Sequence, residues 1–259
     1  MNLGLGWLPD KEDARDQKLS DGERLAELPA SVNLQQYVVD VMAQTGDMTN
    51  VPRGVGIPSC VANAVGQGIR VLHARDGAEE PSICSRNFLW WHSRNQHGDA
   101  KNLSGTYIRD CVKVANKLGR PAEGVWPYDY GNFARKPPPH VLMAAHDKRL
   151  MRYERIDRIL DGRIEQVKTS LALQRPVVFG TTVAESFMSV RGDTIVHAPK
   201  STEPMAGGHA MVYVGYDSES ALVVNSWGRA WGNGGFCRMG WDYVTWSFTR
   251  DLWSLEWAE

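Results

Sequence analysis

Apolar positions along this chain follow two regimes, helical spacing in the first half and extended runs in the second. After Cys60 the residues Val61, Val65, Ile69 and Leu72 recur at helical spacing. Pro58 and Ser59 just ahead supply a start signal, so a helix is predicted with Cys60 at its N-terminus. Phe88-Leu89-Trp90-Trp91 suggests a second helix, and Ile108, Cys111, Val112, Ala115 and Leu118, stopping at Gly119, a third. Val141-Leu142-Met143-Ala144-Ala145, after the Pro137-Pro138-Pro139 break, suggests a fourth. Ile164, Val167 and Leu171 give one more short helix, after which strands predominate. Pro176-Val177-Val178-Phe179-Gly180 reads as a buried strand, His209–Tyr216 and Ala221–Asn225 as a pair around the turn Asp217-Ser218-Glu219-Ser220, and Gly235–Met239 as another. A helical half followed by a sheet half is an α+β plan with its natural cleft between the two lobes.

Residues 1–27 carry many charges and no sustained period, so they are expected to form an irregular leader or strap, with one main domain over 28–259. Within that domain the helical lobe is expected at about 55–150 and the sheet lobe at about 151–259 together with the N-terminal stretch. Thr49–Ser59 is a loop dense in turn formers, and it delivers Cys60.

Composition narrows the function classes. The 259 residues hold 29 basic and 30 acidic side chains, for a formal charge of -1. That balance points to neither nucleic acid nor an anionic membrane as a partner. No stretch has the apolar length of a membrane span, and Met1–Trp7 lacks the basic and apolar regions of a signal peptide. The expected compartment is the cytoplasm, or the exterior by way of a signal not present in this chain. The four cysteines, Cys60, Cys84, Cys111 and Cys237, are too few for a disulfide scaffold and lack zinc-ligand spacing, so reduced thiols are expected.

Three residues stand out as candidate chemistry. A cysteine at a helix N-terminus is helped toward thiolate by the helix dipole and its unpaired amides, although Cys60 taken alone also fits a small buried hydrophobe. His209 follows Gly207-Gly208 and opens an apolar strand, a position suited to projecting a ring into a cleft or equally to a structural histidine. Asn225 ends the adjacent strand, where its amide can orient an imidazole or simply cap the strand.

Their sequence surroundings are more specific. Asn225-Ser226-Trp227-Gly228, continuing through Trp231-Gly232 to Gly235-Phe236, resembles the Asn-Ser-Trp-Gly…Trp-Gly…Gly-Tyr signature of papain-like cysteine peptidases. Gly207–Asp217 resembles that family's histidine strand, and Ser59-Cys60-Val61-Ala62-Asn63-Ala64 its bacterial Ser-Cys-Thr-Ala-Asn-Ala nucleophile segment. His209 lies about 150 residues past Cys60, in the family's Cys, His, Asn order. Gly6-Trp7-Leu8-Pro9-Asp10, Tyr107-Ile108-Arg109-Asp110 and Val125-Trp126-Pro127-Tyr128-Asp129 are similar to segments of the bacterial group that includes xylellain.

This resemblance implies a two-lobed fold with the active site in the cleft, and a cysteine-type peptidase acting on peptide or protein substrates. It implies a triad of Cys60, His209 and Asn225, with Trp227 stacked over the Asn–His contact, and no metal or cofactor. Leaders in the family lie across the cleft, so residues 1–27 are expected to cover it. One departure concerns the oxyanion site. The family's glutamine stands six residues ahead of the nucleophile, where this chain has Gly54, leaving Arg53 and Asn50 as candidate replacements. Loss of one oxyanion donor costs roughly 100- to 1000-fold in turnover. A catalytically impaired binding module is therefore the alternative, and transfer of the acyl group to an amine, as in a transpeptidase, is a variant of the same chemistry.

Overall fold

The computed structural model describes residues 4–19, 25, 27–78, 83–146 and 152–256; the remainder of the expected leader lies outside the described residues. The first elements are short: β1 (Trp7–Leu8) and β2 (Val32–Asn33). The helical lobe follows with α1 (Cys60–Arg75), α2 (Arg86–Asn95), β3 (Thr106–Tyr107), α3 (Ile108–Lys117) and α4 (Pro139–Ala145). The second half contains β4 (Arg152–Ile156), α5 (Leu160–Ala172), β5 (Val177–Ala184), β6 (Ile195–Val196), β7 (Met205–Tyr216), β8 (Ser220–Val224), β9 (Phe236–Gly240), α6 (Trp241–Thr245) and β10 (Thr249–Glu256). This is an α+β, two-lobed architecture of helices and a large, mostly antiparallel sheet.

The sheet runs β4-β10-β5-β7-β8-β9-β6, with β2 added beside β7. All of its pairings are antiparallel except β6 with β9. β7 is the axis. Its branched and aromatic run from Ala210 to Tyr216 is buried, and it pairs with β5 over almost its full length. Such residues favour a pleated surface that is packed on both faces. α1 lies against β7, β5 and β10 on one side and α2 and α3 on the other, so the helix that begins at Cys60 forms the seam between the lobes.

The expected helices over 60–72, 108–118 and 141–145 are present, and α3 stops just ahead of Gly119, whose φ of +81° provides the left-handed turn that ends a helix. β5 and β7 are longer than their hydrophobic runs indicate. β4, β6 and β10 give no alternating signal; β10 is buried on both faces apart from Arg250 and Glu256, so polar residues interrupt its pattern without marking a solvent side. No helix among the described residues is long and apolar enough to cross a membrane.

Candidate active site

Cys60 is the first residue of α1, held from below by a polar network. Asn63 Nδ2 donates to the Ser59 carbonyl and hydroxyl, each at 3.0 Å, and the Ser59 and Tyr128 hydroxyls are hydrogen-bonded to each other. Arg86 lies 4.0 Å over the Tyr128 ring and donates to Asn63 Oδ1 at 3.2 Å while forming ion pairs with Asp47 and Glu123. The backbone N–H groups of Ala210, Gly6, Val61 and Cys60 itself lie near the Cys60 sulfur and favour its thiolate. Ala210 follows His209, so the sulfur sits beside the histidine's strand.

In β7, His209 pairs with Thr181 of β5. Val212 pairs with Val224 across β7 and β8, which sets Asn225 diagonally opposite His209 on one face. Their side chains meet there: His209 Nε2 lies 2.7 Å from Asn225 Oδ1, which also accepts the Ser226 N–H at 2.7 Å. Because an amide oxygen only accepts, Nε2 carries the proton, and Nδ1 is left as a basic nitrogen. Nδ1 has no hydrogen-bond partner among the described residues. Trp227 covers this contact with its indole stacked on the imidazole, centroids 4.4 Å apart at 25°, and Phe187 and Trp231 pack behind it.

A residue that sequence reasoning missed completes the constellation. Gln44 is buried and donates from Nε2 to the Ile57 carbonyl at 3.0 Å, and also to the Gly4 carbonyl. Its Oε1 accepts the Ser226 hydroxyl at 2.8 Å, its N–H donates to the Ser226 carbonyl at 2.8 Å, and its own carbonyl accepts Tyr128 Oη–H at 2.8 Å. Gln44 therefore bridges Ser226, next to Asn225, and Ile57, in the loop leading to Cys60. The candidate donors taken from that loop lie elsewhere. Asn50 is exposed with its amide given to Asp129, and Arg53 is exposed; among the described hydrogen bonds neither reaches Cys60, His209 or Ser226. Gln44-Thr45-Gly46 was the available signal, obscured because the turn-rich Asp47–Val55 segment separates it from Gly56-Ile57-Pro58-Ser59-Cys60.

Residues 4–8 run between the loop ahead of Cys60 and β7, packing on Ile57, Pro58 and Gly208. The Gly6 carbonyl accepts the Thr106 N–H at 2.9 Å, and β1 continues this as a parallel pairing with β3. Gly6 passes so close to the nucleophile loop that a Cβ there would fall 2.1 Å from the Pro58 carbonyl oxygen, which only glycine avoids. Beneath this segment Cys60 and His209 are each 0 % exposed. Burial pushes the Cys60 thiol up to about 11 despite the N–H groups aimed at its sulfur. Burial likewise pushes His209 down to about 4 against the supporting bond from Asn225. Both groups are thus neutral near pH 7 in this arrangement.

Beyond residue 8 the strap is fastened by charge. Asp16 pairs with Arg109, from the Tyr107–Asp110 segment, and with Arg155 of β4 at 2.9 Å. Asp10 accepts from Trp253 Nε1 at 3.0 Å and from the Arg109 N–H at 3.2 Å, and its own N–H donates to Asp251 at 2.7 Å. Among the described residues no group of three or more His, Cys, Asp or Glu side chains is placed to hold a metal ion.

The sequence model described as papain family cysteine protease matches residues 88–247. An uncharacterised peptidase C1-like protein of Acanthamoeba polyphaga mimivirus is 30% identical over 272 residues, covering 99% of this chain and 88% of that protein. The oryzain gamma chain of Oryza sativa is 32% identical over 82 residues, which span 30% of this chain and 23% of the plant protein. Among solved structures, xylellain, a cysteine protease from Xylella fastidiosa, superposes with a TM-score of 0.85 at 28% identity, covering 100% of this chain and 97% of that one. Digestive procathepsin L 3 of Tenebrio molitor shares the fold at a TM-score of 0.69 and 16% identity, over 99% of this chain and 76% of that one.

Proposed function

Since the chain belongs to the papain family of cysteine proteases, we propose that it hydrolyses peptide bonds with Cys60 as nucleophile, His209 as acid–base and Asn225 as the group that orients the imidazole. The observation carrying this reading is the 2.7 Å contact of His209 Nε2 with Asn225 Oδ1, which keeps Nδ1 unprotonated beside the strand that touches the Cys60 sulfur. In the reaction Nδ1 takes the thiol proton and the thiolate attacks the substrate carbonyl carbon. The oxyanion receives hydrogen bonds from the Cys60 N–H at the α1 terminus and from Gln44 Nε2. Collapse breaks the C–N bond, the leaving amine takes the proton from Nδ1, and a thioester remains. A water molecule then gives a proton to Nδ1 and attacks the thioester, releasing the acid and restoring the thiol when that proton returns to sulfur.

Gln44 in this role removes the ground for a catalytically impaired module, because its amide is anchored at both ends and available as a donor once the Gly4 carbonyl leaves. In the closed chain the strap fills the space a substrate needs, and we read residues 4–8 as an intramolecular cover. Its Gly4 carbonyl takes the hydrogen bond from Gln44 Nε2 that the oxyanion would receive. The test is exposure to a thiol-directed epoxide inhibitor, with cleavage of a peptide library followed in parallel. Wild type should be labelled at Cys60 and should cleave; Cys60→Ala should do neither while keeping its circular dichroism spectrum. Labelling at Cys84, Cys111 or Cys237 with cleavage retained would sink the assignment.

A further inference from the structure

The polar residues beneath Cys60 form a single chain of hydrogen bonds whose direction follows from counting protons. Its far end is fixed: the Gln44 carbonyl only accepts, so the Tyr128 hydroxyl spends its one proton there, at 2.8 Å. Tyr128 Oη must then accept from its other neighbours. That makes the Ser59 hydroxyl the donor between those two oxygens, with Asn63 Nδ2, at 3.3 Å, as a further donor to Oη. Ser59 Oγ in turn accepts from Asn63 Nδ2 at 3.0 Å, and Asn63 Oδ1 accepts from Arg86 Nη1 at 3.2 Å. The bonds therefore all run one way, from a guanidinium to a carbonyl, and each polarises the next. All five residues are buried, where an unpaired member would be costly. Ser59 stands at the N-cap of α1, yet its side chain caps none of the helix N–H groups; its hydroxyl is committed to this chain instead.

Each end of the chain carries a donor for the oxyanion. Asn63 holds the Ser59 carbonyl twice, through Nδ2 and through its own N–H, each at 3.0 Å. That carbonyl shares one rigid peptide plane with the Cys60 N–H, so fixing the oxygen fixes where the N–H points. A carbonyl that accepts hydrogen bonds also makes the N–H of its own peptide a stronger donor. At the other end, Tyr128 holds the main chain of Gln44, whose Nε2 is the second donor. Asp47 adds a second tie there, accepting the Ala43 N–H at 2.8 Å and Arg86 Nη1 at 2.7 Å, so the turn bearing Gln44 rests on the same guanidinium as Asn63. Donors aimed at a developing charge work only when their spacing is set beforehand. We infer that Asn63 and Tyr128 are positioning residues of the oxyanion site, which hold the Ser59–Cys60 peptide and Gln44 in register with each other. They act through Ser59 and Gln44, not on the substrate, and the inference rests on the peptidase reading above.

The test uses Tyr128→Phe and Asn63→Ala in the full chain. Tyr128→Phe keeps the ring that lies 4.0 Å under Arg86 and removes only the hydroxyl, so it carries the test should Asn63→Ala fail to fold. With Tyr128→Phe, kcat should fall about tenfold, the worth of one neutral hydrogen bond, at unchanged KM; with Asn63→Ala, which loses two, about 10- to 100-fold. The double variant should fall no further than Asn63→Ala alone, because both act through one chain. Two reagents separate this from general loosening of the site. A peptide aldehyde adds the Cys60 sulfur across its C=O, the thiol proton ending on the oxygen, and so fills the oxyanion site without a leaving group; its Kd should rise by the same factor as kcat falls. Iodoacetamide loses iodide to the sulfur and forms no oxyanion, so its rate at Cys60 should not change. An unaltered kcat in Tyr128→Phe, or a loss shared equally by iodoacetamide labelling, would overturn the inference while wild-type cleavage keeps the peptidase reading. Weaker aldehyde binding by the variants of a chain that cleaves no peptide would uphold the positioning role and sink the peptidase reading, and a wild type that neither cleaves peptides nor binds the aldehyde would overturn both.

Discussion

Alkylation of Cys60 by iodoacetamide measures how firmly the strap is seated. With its thiol held near 11, about one Cys60 in ten thousand is thiolate at pH 7, compared with roughly 3% for a free cysteine near 8.5. The intact chain should therefore label at Cys60 some hundreds of times more slowly than free cysteine, with a rate rising tenfold per pH unit through pH 9. Trp7→Ala removes a buried indole, at a cost of about 3–5 kcal/mol to the closed form. That shifts the closed-to-open ratio by at least 100-fold, so labelling at pH 7 should accelerate by on the order of 100-fold. The pH profile should also flatten, because an exposed imidazolium beside the thiol stabilises thiolate. Linkage gives the sign on both sides. The Cys60 pKa is raised in the closed form, so opening releases a proton and is favoured as pH rises above about 8.5. The His209 pKa is lowered in the closed form, so opening takes up a proton and is favoured as pH falls below about 6.5. As far as these two groups decide it, the strap is held best between those values. Rates are read by intact mass with peptide mapping to separate Cys60 from the other three thiols. Labelling of the intact chain at pH 7 at the free-cysteine rate, or an unchanged rate and slope in Trp7→Ala, would refute the reasoning.

Two further outcomes are expected. Gln44→Ala should lower kcat by about 100- to 1000-fold with little change in KM, whereas Arg53→Ala should leave both unaltered; steady-state kinetics on one peptide compares them, and a loss on Arg53→Ala with none on Gln44→Ala would return the oxyanion role to the loop. Burial and the neighbouring Asp251 push the Asp10 carboxyl up to about 7, although Trp253 and Arg109 pull it down, so the folded chain holds a proton that an exposed aspartate gives up near 3.9. Stability should therefore decline as pH rises from about 4 to 7, and Asp10→Asn should reduce that decline, read as a smaller drop in Tm between pH 5 and pH 8; identical slopes would exclude Asp10 as the source.

Much of the fold was legible because it is written locally. The spacing of Val61, Val65, Ile69 and Leu72 predicts α1 and so sets Cys60 at its start, and the runs after His209 and before Asn225 predict the strand pair that brings those two together. Gln44 was not legible, since no local rule links it to Cys60 across sixteen positions; only the chain's path through Ser226 and Ile57 does. The same holds for the strap. Its charges read as a solvated segment, yet Asp10 and Asp16 are partnered by Arg109, Arg155, Trp253 and Asp251, all far away in sequence. The seat of Trp7 on Gly180 was likewise illegible, since a residue without a side chain leaves no hydrophobic signal.

The backbone around Gln44 has a mechanical consequence. Gln44 and Ser226 share two hydrogen bonds, Gly228 N–H donates to the Met42 carbonyl at 3.0 Å, and Ala43 bridges to Trp227 in the antiparallel sense, so the segment ahead of the Cys60 loop is laced to the segment that follows Asn225. Such lacing resists bending about the floor of the cleft. On the proposed reading of residues 4–8 as a cover, admission of a substrate would amount to peeling a ribbon from the rim rather than opening a hinged jaw, with the resistance carried at Trp7 and the aspartates behind it.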